Sequence, residues 1–220
     1  MEYRYCVFCD FDGTITNWES AEGLWKYLLG EERFHQKMQE LLQRDVGTST
    51  GIKELFGMVP SKDYPRIFPY IETLEVRPGF EAFLTFLQQR EIPFIIVSVG
   101  IREMIERVLA PYRDKITAYY YGELSTAGEF LTISSPYDDG VDLLRKELVM
   151  KQYPCQTSIF LGDSYTDRNP ALRSDIVFAR DRLDLFLQEK GLPHHTFETF
   201  FDVIKVLEQE GITNVTGSLK

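Results

Sequence analysis

The chain has 220 residues and a formal net charge of −10, and 44% of its residues are hydrophobic. This composition supports a sizeable core in one domain, or in one domain with a modest insertion. An acidic chain lacks the broad basic surface that a nucleic acid or an anionic membrane attracts, so we expect neither as a partner. No run approaches the roughly 20 apolar residues that span a bilayer, and no signal peptide precedes the first strand pattern. We therefore expect a cytoplasmic protein.

The cysteines and histidines offer little chemistry. Cys6, Cys9 and Cys155 are an odd set without disulfide spacing, and no second Cys or His pair completes a zinc site with Cys6-x-x-Cys9. We expect reduced thiols, with Cys6 and Cys9 buried in a strand. The pair His194 and His195 is predicted to lie solvated in a loop and not to act as a catalytic base.

The predicted elements change character twice along the chain. Residues 3–9 form an apolar run typical of a strand covered on both faces. Residues 17–75 show helical periodicity, broken by glycines and prolines, which predicts a small helix bundle. Beyond it, strands alternate with helices. The later predicted strands are "IPFIIVSVG", "KITAYYYGEL", "GEFLTIS", "TSIFLGD" and "DIVFAR", and a predicted helix, "DLLRKELVMKQY", precedes "TSIFLGD".

This alternation predicts an α/β fold with a doubly wound parallel sheet. The helix bundle interrupts it directly after the first strand, so we interpret residues 17–75 as a helical insertion that caps the edge of the sheet. The sheet core then comprises residues 1–16 and 76–220. In open α/β sheets, ligands bind outside the carboxyl ends of the strands. The chemistry should therefore lie where the strands end.

The first strand ends in Asp10-Phe11-Asp12-Gly13-Thr14. Residues two apart in an extended segment point the same way, so Asp10 and Asp12 can project together over the sheet edge. Gly13 allows a sharp turn directly after them. Two charges at the end of a buried strand are costly, which indicates a functional pair.

Two further strand ends carry polar groups. "PFIIVS" ends in Ser98-Val99-Gly100 before a predicted helix, which places a hydroxyl and backbone N–H groups at an anion-binding position. "SIFLGD" leads to Asp163 and Asp167, and one helical turn can bring these two carboxylates to one face.

Four converging carboxylates would repel one another unless a cation neutralises them. A hard divalent ion with oxygen ligands does so, and Mg²⁺ suits a site that also accepts a phosphate oxygen. This set of groups is suited to phosphoryl transfer through an aspartyl-phosphate, with a second acid to handle protons.

The chain resembles the haloacid dehalogenase superfamily of phosphatases. "DFDGT", "FIIVSVG" and "FLGDSYTD" match its first, second and fourth motifs in order, and the helical insertion lies where the family has a small cap. The resemblance implies a Rossmann-like core. It is closest to the phosphoserine-phosphatase-like branch, and within it to the methionine-salvage enol-phosphate phosphatases, on the softer matches "GIKELFGMVPS" and "SDIVFARDRL".

The resemblance implies a role for each matching residue. Asp10 would be the nucleophile and Asp12 the general acid/base. Ser98 and the amides of Val99 and Gly100 would bind the phosphate. Mg²⁺ would be bound by Asp10, the Asp12 carbonyl and Asp163, with Asp167 as a further ligand or as support for the ligands. Glu19 would contact the substrate. The substrate would be a small phosphorylated metabolite.

The sequence departs from the family pattern at two places. Val99 stands where the family usually has glycine. A valine keeps the backbone amide that would bind the phosphate, but its side chain leaves less room for the substrate at this loop. The lysine of the third motif has no ungapped match, because counting back reaches Gly140. Lys146 or Arg145 is a candidate substitute that would bind the phosphate. We favour the interpretation that both are solvated charges on the surface of a helix, which leaves open which residue supplies the positive charge that offsets the phosphate.

Other interpretations remain open at this point. The chain could be a phosphoserine phosphatase-like enzyme, or a catalytically weak relative that binds a phosphometabolite, as the unmatched lysine suggests. A dehalogenase proper is disfavoured because that reaction needs neither Asp12 nor the metal acids. The aromatic residues of the helical insertion, Trp18, Trp25, Phe34 and Phe56, are interpreted as its core and not as a substrate box.

Overall fold

The computed structural model describes residues 2–17 and 20–212. Its strands are β1 (Tyr3–Cys9), β2 (Phe94–Ile101), β3 (Ala118–Ser125), β4 (Thr132–Ser134), β5 (Cys155–Gly162), β6 (Ile176–Ala179) and β7 (His195–Thr196). Within the described residues these strands form one sheet in the order β4-β3-β2-β1-β5-β6-β7. Every neighbouring pair is parallel except β3 and β4, which form an antiparallel hairpin. The predicted α/β class is confirmed.

The α-helices cover both faces of this sheet and fill the predicted insertion. They are α1 (Ser20–Leu29), α2 (Glu31–Gln43), α3 (Thr48–Phe56), α4 (Ile67–Ile71), α5 (Phe80–Gln88), α6 (Arg102–Val108), α7 (Lys146–Met150), α8 (Arg168–Ala171), α9 (Asp181–Glu189) and α10 (Phe200–Gln209). Short 3₁₀ helices lie at Ser61–Arg66, Ala110–Lys115 and Tyr165–Asp167. None of the described helices combines the length and apolar character that crossing a bilayer requires.

The central strand β1 is buried on both faces, as its apolar run predicts. Val7 and Cys9 belong to one hydrophobic cluster, whereas Cys6 and Phe8 belong to the cluster on the other side. This alternation follows from the two-residue period of a strand. Cys6 and Cys9 are fully buried free thiols, as predicted.

Helices α1 to α4 all lie between β1 and β2, where the insertion was predicted. Trp25 packs against Phe34 and Phe56 at centroid distances of 6.3 and 5.7 Å, so these aromatic residues form a core, as predicted. Trp18 lies outside the described residues. Leu24 and Phe56 join the same hydrophobic cluster as β1, and the domain boundaries at 17 and 75 stay a prediction.

The N-terminus of α3 is hydrogen-bonded to the loop that precedes α7. The Ser49 N–H donates to the Val141 carbonyl at 2.9 Å, and the Ser49 hydroxyl donates to Asp138 at 2.8 Å. Lys53 forms an ion pair with the same Asp138 carboxylate. The insertion is therefore fixed to the loop that leads to Lys146.

Two local predictions are wrong. The helix predicted over "DLLRKELVMKQY" begins only at Lys146, because Asp139 accepts the N–H groups of Val141 and Asp142 and holds the preceding segment in a loop. His195 lies in the short edge strand β7, and His194 is half-buried with its Nε2 2.8 Å from Asp184. The histidine pair is therefore not a solvated loop pair.

Candidate active site

The carboxyl ends of β2, β1 and β5 lie side by side at the centre of the sheet. Cys9 is in register with Ile96 of β2 and Leu161 of β5, and the Asp10 N–H donates to the Leu161 carbonyl at 2.9 Å. Asp10 therefore follows β1 at the level where β5 leads to Asp163. The predicted convergence of the strand ends is present.

The turn after Asp12 depends on glycine and threonine. Gly13 has a φ of 75°, and a Cβ atom there would overlap the Asp163 carboxylate. The Thr14 hydroxyl donates to Asp163 Oδ1 at 3.0 Å. Because only glycine allows this approach without strain, the turn brings the β1 end into direct contact with the β5 end.

Arg77 holds this turn in place through hydrogen bonds to its backbone. Its buried guanidinium donates to the carbonyls of Gly13, Thr14 and Thr16 at 2.7 to 2.9 Å. Each bond satisfies a backbone carbonyl that the tight turn leaves without a partner. Arg77 is not recognisable from the sequence, since a contact between a side chain and carbonyls some 60 positions away leaves no local pattern.

Lys146 lies at the centre of the site, with 1% of its surface exposed. Its Nζ is 2.5 Å from Asp10 Oδ1 and 2.6 Å from Asp167 Oδ1. The favoured interpretation of Lys146 as a solvated helix charge is therefore wrong. Because the loop before α7 is longer than an ungapped count allows, Lys146 is the first residue of the helix that precedes β5, where the third family motif has its lysine.

Arg145, unlike Lys146, forms its ion pairs outside the site. Its guanidinium pairs with Asp139 at 2.8 Å and Glu147 at 2.6 Å. Arg145 is thus engaged by the loop and α7, and it does not supply the cation that contacts Asp10.

Asp167 uses both of its carboxylate oxygens. Oδ1 accepts from Lys146, while Oδ2 accepts the N–H groups of Asp163 and Ser164 at 3.0 and 2.9 Å. Gly162 makes room for it, since a Cβ atom there would come within 2.6 Å of the Asp167 carboxyl carbon. The side chain is therefore fixed by the β5 turn and in turn fixes Lys146.

Burial dominates the electrostatics of the acids. It raises the pKa of Asp10 to about 7, against the opposing effect of Lys146. It also raises the pKa of Asp12 to about 6 and that of Asp163 above its usual range. Burial alone would lower the pKa of Lys146, but the charges of Asp10 and Asp167 raise it above its usual value. Lys146 therefore carries a positive charge at neutral pH.

Asp12 is contacted from both α1 and β2. The Ser20 hydroxyl at the start of α1 donates to Oδ1, and hydrogen bonds from the Ala21 N–H and the Ser98 side chain also favour the charged form of this buried carboxylate. A Cβ atom on Gly100 would lie 2.5 Å from Oδ2, so this oxygen faces the loop at the end of β2. Ser20 was not predicted as a site residue, although it stands only eight residues after Asp12.

Ser98, Val99 and Gly100 lie within β2, which continues to Ile101. The predicted helix follows this strand, since α6 begins at Arg102 with Ile101 as its N-cap. Ser98 is fully buried, and its hydroxyl oxygen accepts the Gly100 N–H at 3.1 Å. Ser98 therefore orients its own loop and does not cap the helix. Glu19 lies outside the described residues.

Three carboxylates could hold a metal ion. Asp10, Asp163 and Asp167 each offer an oxygen within 4.8 Å of the others, and all three are buried. Asp163 Oδ2 lacks a hydrogen-bond partner in the part of the chain that the structure describes. A buried carboxylate oxygen without a partner is costly, so this cluster is suited to a hard divalent cation.

The chain belongs to the haloacid dehalogenase-like hydrolases. Residues 7–172 match the family described under that name, and the match spans β1, the helical insertion, β2 and β5. The three strand ends that build the site therefore lie within the matched region. The resemblance drawn from the three motifs is confirmed.

Curated relatives narrow this class. The chain is 41% identical to a 2-hydroxy-3-keto-5-methylthiopentenyl-1-phosphate phosphatase of Microcystis aeruginosa, over 91% of this chain and 96% of that protein. It is 30% identical to a phosphatase of the same name from Brevibacillus brevis, over 95% and 97% of the two chains. Both relatives are matched over almost their whole length.

The fold is also that of solved structures. A phospho-aspartyl intermediate analogue of phosphoserine phosphatase superposes with a TM-score of 0.71, at 14% identity, over 94% of this chain and 99% of that one. Substrate-bound phosphoserine phosphatase gives a TM-score of 0.70 with the same coverage. These likenesses show a shared fold.

Proposed function

We propose that the chain is a Mg²⁺-dependent phosphomonoesterase that hydrolyses 2-hydroxy-3-keto-5-methylthiopentenyl-1-phosphate. The observation that supports the reaction class is the buried Lys146 ammonium 2.5 Å from Asp10, in a site where Asp163 Oδ2 also lacks a hydrogen-bond partner among the described residues. A carboxylate can attack a phosphate dianion only where cations offset both charges. The substrate is proposed from the relatives of that name, which are matched along nearly their whole length.

The metal would be held by the carboxylates of Asp10 and Asp163 and by the backbone carbonyl of Asp12. When bound, Mg²⁺ supplies positive charge that reduces repulsion between the phosphate and the attacking carboxylate. Asp163 fits this role because Thr14 occupies its Oδ1 and leaves Oδ2 available. Asp167 is proposed as the support for Lys146, since both of its oxygens already accept hydrogen bonds.

Asp10 is the proposed nucleophile. One carboxylate oxygen forms a bond to phosphorus while the bond from phosphorus to the leaving oxygen breaks, and Asp12 gives its proton to that oxygen. Water then attacks the aspartyl-phosphate and gives a proton to Asp12, the bond from Asp10 to phosphorus breaks, and inorganic phosphate is released. The raised pKa of Asp12, about 6, allows it to exchange a proton near neutral pH.

The phosphate is proposed to lie against the end of β2. The Ser98 hydroxyl and the N–H groups of Val99 and Gly100 would donate to its oxygens, and Lys146 would offset its charge. Lys146 is fixed by two carboxylates and needs no rearrangement to do so. The weak-relative alternative was based on a missing lysine, and the position of Lys146 removes that reason. Three expectations stay predictions. They are the substrate contact by Glu19, the cytoplasmic setting, and the absence of nucleic-acid and membrane partners.

The test compares two phosphate esters under the same conditions. We expect kcat/KM for 2-hydroxy-3-keto-5-methylthiopentenyl-1-phosphate to exceed that for phosphoserine by about a hundredfold in Mg²⁺, with both activities lost in EDTA. Equal or better use of phosphoserine would show that the proposed substrate is wrong. Turnover no higher than that of Asp10→Asn with either ester would contradict the reaction class.

A further inference from the structure

Two buried polar atoms at the boundary between the insertion and the sheet have no hydrogen-bond partner. The first is Oε2 of Glu103, in the first turn of α6, and the second is Oγ of Ser61, at the start of the 3₁₀ helix Ser61–Arg66. Neither atom has a donor or an acceptor within residues 2–17 and 20–212. Only 8% of the Glu103 side chain is exposed. Because a buried polar atom without a partner is costly, these two atoms indicate a place where a ligand binds.

The 3₁₀ helix brings both groups to the same boundary. Residues three apart in a 3₁₀ helix eclipse one another, so Ser61 and Tyr64 share one face. The Tyr64 hydroxyl donates to Glu103 Oε1 at 2.8 Å, and the Ser61 N–H donates to the carbonyl of Glu129, in the turn between β3 and β4, at 2.9 Å. Burial and the Glu103 carboxylate raise the pKa of Tyr64 to about 12, so its hydroxyl remains a donor at neutral pH. Tyr64 therefore occupies Oε1 and leaves Oε2 available.

This boundary lies beside the proposed phosphate site. Helix α6 follows β2 directly, three residues after Gly100 at Glu103, and β2 lies between β1 and β3 in the sheet. Parallel strands bring their carboxyl ends to one edge, so the 3₁₀ helix covers the edge next to the end of β1. On the other side, Lys146 and Asp167 fill the space at the ends of β1 and β5. A bound phosphate would therefore leave the side of β2 and the insertion for the rest of its ester.

The hydrogen-bonding character of the two groups matches the proposed substrate. 2-Hydroxy-3-keto-5-methylthiopentenyl-1-phosphate carries a hydroxyl next to the phosphate-bearing carbon and a keto oxygen on the carbon beyond it. The hydroxyl can donate to a carboxylate, whereas the keto oxygen can only accept, for example from a serine hydroxyl.

We propose that Glu103 and Ser61 form a substrate-binding subsite, in which Glu103 Oε2 accepts the hydroxyl of the enol phosphate and the Ser61 hydroxyl donates to its keto oxygen. This inference rests on the proposed function, because it assigns the groups that recognise that substrate. A ligand bound in this way supplies both of the missing hydrogen bonds. Recognition would then depend on the insertion and on the core together, since Ser61 belongs to the insertion and Glu103 to α6.

The test compares the enol phosphate with 5-methylthiopentyl phosphate, an ester of the same chain without the hydroxyl and keto groups. The readout is the ratio of the two kcat/KM values in Mg²⁺, because the intrinsic reactivity of each ester cancels when a variant is compared with wild type. We expect Glu103→Met to lower kcat/KM for the enol phosphate about thirtyfold more than for the alkyl ester, and Ser61→Ala about fivefold more.

The stability of the free protein distinguishes recognition from a structural role. The Ser61 hydroxyl makes no hydrogen bond in the described chain, so Ser61→Ala should leave the unfolding free energy unchanged or raise it. If Glu103→Met does not fold, Glu103→Gln keeps the size of the side chain and an acceptor for Tyr64. It replaces the carboxylate by an amide and should shift the ratio in the same direction.

Glu72→Met is the matched control. Glu72 also joins the insertion to α6, through an ion pair with Arg107 at 2.7 Å, but it is largely exposed. Its loss should change kcat/KM for both esters by the same factor, because it removes a contact between the same two parts of the chain without removing an unpartnered atom.

The outcomes separate this inference from the proposed function. If wild type hydrolyses both esters but Ser61→Ala and the Glu103 variants change both by one factor, the subsite does not exist and the inference is wrong. If wild type hydrolyses neither ester above the level of Asp10→Asn, the proposed function itself fails. A selective loss on the enol phosphate, without lower stability in Ser61→Ala, supports both.

Discussion

Replacing Lys146 by methionine removes the positive charge between two buried acids while keeping a long apolar side chain. Lys146 Nζ is 2.5 Å from Asp10 and 2.6 Å from Asp167. Each charge-assisted hydrogen bond contributes about 1.5–3 kcal/mol, and breaking a buried ion pair costs about 3–5 kcal/mol in total. At a pH where Asp10 is charged, we therefore expect Lys146→Met to lower the unfolding free energy by about 3–5 kcal/mol.

The loss should depend on pH in a defined direction. The pKa of Asp10 is about 7 in the folded protein and about 3.9 in an unfolded chain, so its burial destabilises the fold above pH 4. In wild type the loss of unfolding free energy caused by Asp10 increases up to about pH 7 and is constant above it. Without Lys146 the folded pKa rises further, so the variant continues to lose about 1.4 kcal/mol per pH unit above pH 7 relative to wild type. The two proteins should differ much less at pH 6.

The assay is urea unfolding in EDTA at pH 6 and pH 9, with phosphatase activity measured in Mg²⁺. Activity should fall by about 10²–10³, the usual effect of losing one fixed electrostatic contact. Lys37→Met is the control, because Lys37 also pairs with two carboxylates, Glu40 and Glu54, but lies away from the site on the insertion. It should cost no more than about 1 kcal/mol. Equal unfolding free energies of Lys146→Met and wild type at pH 9 would refute the reasoning.

Three further substitutions test the parts of the site separately. Arg77→Met leaves three turn carbonyls without a donor, so we expect about 3 kcal/mol lower stability in urea unfolding; an unchanged midpoint would contradict this. Gly13→Ala places a methyl group against Asp163 and should weaken Mg²⁺ binding at least about tenfold by calorimetry. Asp163→Asn should weaken Mg²⁺ binding similarly but stabilise the metal-free protein, because it replaces a carboxylate whose charged form burial disfavours and whose Oδ2 has no hydrogen-bond partner among the described residues; lower stability in EDTA would argue against that explanation.

The strand ends could be predicted because they follow from two simple periodicities. Asp10 and Asp12 share a direction through the two-residue repeat of an extended segment, and parallel strands bring their carboxyl ends to one edge. Asp163 and Ser98 then had to lie nearby, and the structure places them there. The fold class followed from the alternation of apolar runs with helical segments.

Lys146 was misjudged because an irregular loop with an apolar sequence resembled a helix. Leu143 and Leu144 are both buried, but they belong to hydrophobic clusters on opposite faces of the sheet, and Val141 is exposed. The backbone bends at residues 140, 141, 143 and 144, so an irregular loop and not one helix face buries these two leucines. A short apolar run does not distinguish the two conformations, so the start of α7 could not be fixed from sequence.

Arg77 and Ser20 could not be predicted for a different reason. Arg77 donates to backbone carbonyls, and these atoms are the same for every residue type. Ser20 reaches Asp12 only because α1 folds back over the β1 turn. Such contacts depend on tertiary placement, which the local pattern does not encode.

The central claim is that Asp10 carries the phosphoryl group during hydrolysis. Acid quenching during turnover, followed by mass spectrometry of the peptide that contains Asp10, measures this directly. We expect wild type with Mg²⁺ and the enol phosphate to show one phosphoryl group on Asp10, and Asp10→Asn to show none and to lack activity. Continued hydrolysis by Asp10→Asn, or a phosphoryl group on another residue, would contradict the account.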